Sequence, residues 1–204
     1  MIPKAFIFIG RSGSGKGTQA KLLEEFLVKK DPKTAVFYLQ TGEQFRNFIQ
    51  GDTHTQKLSN ALYTTGALQP AFLAIYMWAK AFTENLKGGE RLIVDGTPRK
   101  LSEVGILQSV FDFYKLGKPV VLFMNVSEGE ARKRLLERHR MDDTKSDVEL
   151  RLAWYHTDVE PAVDWYRSAR DCHFLDINGE QTPEQIHEEI VTKVSELATK
   201  KADK

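Results

Sequence analysis

Ala5-Phe6-Ile7-Phe8-Ile9-Gly10-Arg11-Ser12-Gly13-Ser14-Gly15-Lys16-Gly17-Thr18 is the stretch on which the fold turns. Its first five residues are continuously apolar, the pattern of a strand covered on both faces. Glycines then crowd a short turn, and the chain beyond carries Leu22, Leu23, Phe26 and Leu27 on one helical face. A glycine loop between strand and helix lets backbone N–H groups wrap a phosphate, with the positive end of the helix dipole behind them. Lys16 is placed to reach the β- and γ-phosphates of a nucleotide, and Thr18 to serve the phosphate or its magnesium. The general pattern has Ser or Thr directly after the lysine, whereas here Gly17 intervenes. An incidental glycine-rich turn is the bland alternative, and the strand, loop, lysine and helix together argue against it.

Outward from this loop, four more apolar runs read as buried parallel strands: residues 36–39, 92–94, 120–126 and 174–177. Between them lie helical periods. Val148, Leu152, Tyr155, Val159, Val163 and Tyr166 form one apolar stripe on a long helix, with Ser146 and Glu149 as a capping-box pattern at its start. The last helix opens at Thr182-Pro183-Glu184-Gln185, an N-cap, a first-turn proline and a capping-box glutamine. Strands alternating with helices predict an α/β fold, a doubly wound five-stranded parallel sheet. Residues 41–86 are too many for one crossover helix, so they predict a helical insertion over the carboxyl edge of the sheet, where substrates bind.

The chain of 204 residues fits one domain. A net charge of +1 removes bulk attraction to nucleic acid or a membrane surface, so phosphate chemistry must come from locally placed cations. The lone Cys172 excludes an internal disulfide and fits a reducing compartment, where it reads as a small core residue. No apolar run is long enough to span a bilayer, and the first residues lack the form of a signal peptide. A cytoplasmic monomer is expected, with small-molecule partners, no nucleic acid and no membrane.

Further motifs follow in order: Thr41-Gly42-Glu43-Gln44-Phe45-Arg46, Gly66-Ala67-Leu68-Gln69-Pro70, Asp95-Gly96-Thr97-Pro98-Arg99, and an arginine-rich stretch from Arg132 to Arg140 with Arg151 beyond it. On these the chain resembles the adenylate kinase family, and the nucleoside monophosphate kinases more widely, over nearly its whole length. The resemblance implies a fold of the P-loop NTPase type with an NMP-binding helical insertion at residues 41–70 and a lid reduced to residues 138–144. It implies that Gly10, Gly13, Ser14, Gly15, Lys16, Gly17 and Thr18 hold the phosphates of ATP. Arg134, and the loop around Gln181, would lie against the ATP base. Thr41, Gly42, Arg46, Gly66, Leu68, Gln69 and Gly96 would line the monophosphate site, with Glu103 in the place of a base-reading glutamine. Arg99 would grip the acceptor phosphate, and Arg138, Arg140 and Arg151 would converge on the transferred group. Lys16 and Asp95 complete the implied catalytic set. Magnesium would have no direct protein ligand and would be held through a water shell at Thr18 and Asp95.

The chemistry of the residues agrees with this. Phosphoryl transfer needs two anions held in line and charge stabilised on the moving group, and arginine's planar, permanently charged fork suits both tasks. The expected reaction is ATP + AMP to 2 ADP, a step of nucleotide biosynthesis. Three departures bear on it: Ser12 replaces the family's usual loop proline, a single residue separates Arg138 from Arg140, and Glu103 replaces glutamine. A carboxylate only accepts, so Glu103 would match guanine's two donors better than adenine. Thr41 instead resembles the AMP-using members. AMP therefore leads, with GMP and CMP or UMP behind. Another P-loop small-molecule kinase and a non-catalytic nucleotide-binding regulator remain as alternatives. His139 and His156 read as surface residues.

Overall fold

All five residues of the first strand, β1 (Ala5–Ile9), are buried, with at most 2% of any of them exposed. A run this apolar must be covered on both sides, and it takes the centre of the sheet. The computed structural model describes residues 2–138 and 144–200. Among the described residues, β1 is joined by β2 (Val36–Gln40), β3 (Arg91–Asp95), β4 (Val120–Asn125) and β5 (His173–Asn178), all parallel, in the order β2-β3-β1-β4-β5. Each expected strand is present, with every end within one residue of expectation.

Alternation along the strands feeds two cores. Ile7 and Ile9 face one, with Leu92, Val94, Val121 and Phe123. There they meet α4 (Ala71–Asn85) through Trp78 and Phe82, α5 (Leu101–Phe113) through Leu107 and Phe111, and α8 (Glu160–Ser168) through Val163 and Tyr166. Phe6 and Phe8 face the other core, under Leu23 and Leu27 of α1 (Lys16–Lys30) and Ile186 and Ile190 of α9 (Pro183–Lys200). The expected capping box starts α9: the Thr182 N–H donates to Gln185 Oε1 at 3.1 Å, and the Gln185 N–H returns to Thr182 Oγ1 at 3.3 Å.

The long segment after β2 forms α2 (Thr41–Phe48), α3 (His54–Thr64) and then α4, as the insertion predicted. Beyond β4 come α6 (Glu128–Glu137) and α7 (Lys145–Trp154). Two local expectations are corrected here. The start of α7 is capped by Thr144, whose Oγ1 accepts the Asp147 N–H at 3.3 Å, rather than by Ser146. Glu149 instead forms a two-pronged pair with Arg132 of α6, at 2.7 and 2.9 Å. The single long helix is also interrupted: Tyr155–Val159 is a wide π-type turn between α7 and α8. Pro161 has no N–H to offer the carbonyl four residues back, and the wide turn absorbs that loss.

Cys172 is half-buried and donates to the Tyr166 carbonyl at 3.3 Å, and burial pushes its thiol up to about 11, as befits an inert core thiol. Among the described residues no helix is long and apolar enough to cross a membrane.

Candidate active site

The glycine loop leaves β1 and ends where α1 begins, at Lys16 itself. No side chain caps this helix end and no acidic residue occupies its first turn, so its N–H groups remain available to an anion. The Lys16 ammonium folds back over the loop, donating to the Gly10 carbonyl at 2.9 Å, the Arg11 carbonyl at 2.6 Å and Ser14 Oγ at 3.4 Å. Burial lowers its pKa to about 8; Asp95 opposes that shift, and Arg99 and Arg138 add to it.

The intervening Gly17 has a local cause. A Cβ there would stand 3.3 Å from Asp95 Oδ2 and 3.9 Å from the Tyr38 hydroxyl. A side chain at this position would have to push the Asp95 carboxylate back by a few tenths of an ångström. The Tyr38 hydroxyl lies 3.3 Å from the same carboxylate oxygen and donates to it, and burial with that neighbouring charge raises the phenol's pKa.

Across from the loop the cleft opens into a cavity of about 520 Å³. Lys16, Lys21, Arg46, Arg99, Arg134, Arg138 and Arg151 reach its wall, against the carboxylates Asp95 and Glu43. So uneven a balance, in a chain of net charge +1, marks a site for polyanions. Arg46 comes from α2, Arg138 from the end of α6 and Arg151 from α7. The Arg99 Nε donates to the Gly96 carbonyl at 3.0 Å. Arg134 is held by Glu130 at 2.7 Å and by the Gly179 carbonyl at 2.8 Å, which ties α6 to the loop after β5.

Most of the predicted residues meet on this one wall: Gly13, Gly15, Lys16, Gly17, Thr18, Gly42, Arg46, Gly66, Gln69, Asp95, Gly96, Arg99, Arg134, Arg138 and Arg151. Gly10, Ser14, Thr41, Leu68, Gln181 and Glu103 are not part of it. Thr41 is buried just behind Gly42, and its hydroxyl has no partner among the described residues. Gln181 turns to Asn178 and Glu189 instead. Arg140, with most of the expected lid, lies outside the described residues.

Glu103 departs most from expectation. It is 2% exposed and points away from the cleft, accepting from Thr97 Oγ1 at 3.1 Å and the Arg99 N–H at 3.2 Å, while burial raises its pKa. It sits in the first turn of α5 and serves the backbone there, as a glutamate at that position commonly does. In this arrangement it braces the turn that carries Arg99 and does not face a base.

Sequence reading missed Tyr63, Phe45 and Trp154, all on the cleft wall. The signal was available: Tyr63 precedes Gly66 by three residues and Trp154 follows Arg151 by three, a helical neighbour spacing. It also missed Arg11, whose guanidinium stacks 3.8 Å from the centre of the Tyr155 ring.

The family model described as Adenylate kinase matches residues 8–171. The adenylate kinase of Prochlorococcus marinus (strain MIT 9515) is 30% identical over 87% of this chain and 92% of its own. That of Azobacteroides pseudotrichonymphae genomovar. CFP2 is 30% identical over 92% and 95%, and that of Bacteroides thetaiotaomicron 29% over 94% and 98%. These relatives support nucleoside monophosphate kinase activity. The matched span runs from within β1 through the arginines of α6 and α7, and on it the chain belongs to the adenylate kinase family, whose members are phosphotransferases.

Proposed function

We propose that this chain transfers the γ-phosphoryl group of ATP to AMP, giving two ADP, by in-line displacement. One observation carries the reading: a single cleft is lined by the phosphate loop at Lys16 and by Arg46, Arg99, Arg138 and Arg151. A phosphate oxygen of AMP attacks the γ-phosphorus, the bond from that phosphorus to the β–γ bridging oxygen breaks, and ADP leaves. Charge spreads over the moving group in this step, and fixed arginines stabilise it without reorganising. Lys16 orients the β- and γ-phosphates, Arg46 and Arg99 hold the acceptor phosphate, and Arg138, Arg140 and Arg151 cover the group in transit.

Magnesium, bound with the nucleotide, would neutralise charge between the β- and γ-phosphates. The donor set fits it: the Asp95 carboxylate and Thr18 both line the cleft, hard oxygen groups suited to a magnesium ion that keeps most of its water. Residues 41–70 serve as the acceptor cover and residues 138–144 as a minimal lid. The protein works as a monomer in the cytoplasm.

AMP as acceptor rests on the adenylate kinase relatives and on the withdrawal of Glu103 from the cleft, which removes the argument for guanine. Gln69 is an amide in the acceptor wall, its two ends held by Ser59 at 2.9 Å each. A coupled assay of purified protein with ATP against AMP, GMP, CMP, UMP and dTMP tests the reading. AMP should give the highest kcat/KM; ATP binding without acceptor-dependent ADP formation would sink it in favour of a regulator.

A further inference from the structure

Trp154 is the last residue of α7, and its indole forms part of the cleft wall. Three contacts give that indole more than a packing role. Its Nε1–H donates to the Gly66 carbonyl at 3.1 Å, across 88 residues of chain. Its ring lies 5.7 Å from the Arg99 guanidinium carbon, within reach of a cation–π attraction. It also walls a small recess behind the phosphate loop, shared with Gly10, Lys16 and Pro98. One side chain thus bonds to the acceptor loop, faces an acceptor-side arginine and shares a recess with the donor loop.

The Gly66 loop is seated on α7 at a second point. Gly66 has φ +69°, and a Cβ there would fall 3.1–3.2 Å from Asp147, two turns earlier on the helix. Only glycine combines that backbone with that approach. Side chains on a helix lean toward its N-terminus, so an indole at position 154 reaches back to the same loop that Asp147 meets. Arg151 stands one turn before Trp154 on the same helix and also lines the cleft.

We infer that Trp154 is a positioning residue that locks the acceptor loop at Gly66 to Arg99 and to the Arg151 face of α7. An acceptor that orders the Gly66 loop also fixes α7 through the indole, and the arginines that receive the phosphoryl group are set by the same event. The inference rests on the proposed two-substrate reading of the cleft.

Trp154→Phe keeps a ring under Arg99 and removes the N–H, whereas Trp154→Leu removes both. Trp154→Phe should raise the acceptor KM about fivefold to tenfold, the worth of one hydrogen bond, with donor KM and melting temperature unchanged and kcat within about twofold. Trp154→Leu should in addition lower kcat, because Arg99 loses its backing. Should Trp154→Leu fail to fold, Trp154→Phe still decides. Saturating acceptor should also change the indole emission of the wild type, and that change should disappear in Trp154→Phe. An unchanged acceptor KM in a folded Trp154→Phe overturns the inference, and so does an equal rise in both KM values together with a lower melting temperature, the mark of a merely structural role. A wild type without acceptor-dependent turnover would instead sink the proposed function, and this inference with it.

Discussion

The Lys16 ammonium donates to the Arg11 carbonyl oxygen at 2.6 Å, so the cation is held by its own loop. Two carbonyls and a serine hydroxyl of the loop share the ammonium. Neutral carbonyls hold a cation less strongly than phosphate oxygens do, and an arriving nucleotide takes the ammonium over.

Lys16→Met follows directly. Its hydrogen bonds among the described residues are to its own loop, so the fold should survive, with a melting temperature equal to or above the wild type because a buried charge is gone. Turnover should fall by about 10²–10³, the usual loss for one fixed donor to transition-state charge. Circular dichroism and kcat on the same preparation check this, and near-normal kcat in a folded variant would refute the role.

The lowered pKa of Lys16, about 8 against an ordinary 10.5, makes two opposite pH effects. From pH 8 to 10.5 the unfolded chain binds more protons at this site than the folded one, so this group's contribution to stability rises with pH across that window. Below pH 8 the ammonium is charged in both states, and its burial cost is present in full. Nucleotide phosphates favour the charged form, so ATP affinity should drop about tenfold between pH 7 and pH 9, and binding at pH 8 should take up roughly half a proton. Calorimetry in buffers of different ionisation enthalpy measures that uptake; none at pH 8 would contradict the assignment.

Glu103→Gln should leave the AMP-to-GMP ratio of kcat/KM unchanged within about twofold, because the side chain faces Thr97 and the Arg99 N–H rather than a base. The amide oxygen can accept both bonds without burying a charge, so stability at pH 7 should hold or rise. Glu103→Leu leaves both donors buried and unpaired and should cost about 1–3 kcal/mol. A tenfold shift in the AMP-to-GMP ratio for Glu103→Gln would show that the carboxylate turns toward the base when acceptor binds.

Two adenosines joined through five phosphates should bind at least about 100-fold more tightly than ATP, since the link makes the second association intramolecular. The motive is the continuity of the cleft from Lys16 to Arg99. Titration calorimetry that finds equal affinities would argue for one nucleotide site.

The lid proposed at residues 138–144 has only His139 between Arg138 and Arg140, which leaves little chain to cover a donor base. ATP and GTP should therefore serve as donors within about tenfold of each other, with measurable ATP hydrolysis in the absence of acceptor. Strict ATP preference without leak would show that the arginines alone exclude water and read the base.

The sheet was legible because its strands are buried on both faces: Ala5–Ile9 can only be central, and a continuous apolar run states as much. The lysine and the cleft arginines were legible because glycine turns and helix starts fix where they emerge. The direction of Glu103 was not. Spacing puts it four residues beyond Arg99 but does not say that a first-turn glutamate will turn back to serve the helix start. Trp154 was hidden for another reason: its partners Gly66 and Arg99 are 88 and 55 positions away, and only the folded chain brings them to one indole. The break at Tyr155–Val159 escaped because the apolar stripe runs through it undisturbed, while Pro161, the cause, was passed over.

That wide turn divides one stretch of chain into two halves with different obligations. Before it, α7 must aim Arg151 and Trp154 at a ligand; after it, α8 must seat Val163 and Tyr166 against the sheet. The additional residue in the turn works as a phase adjuster, since each residue rotates a helix by about 100°. Removing one residue between Tyr155 and Val159 would force the two halves into a common phase. With α8 held to the sheet, Arg151 and Trp154 would swing off the cleft unless α7 gave up its own seat at Val148 and Leu152. Length at this joint is thus as much a part of the site as any side chain: homologous chains spliced here would have to match in register as well as in sequence.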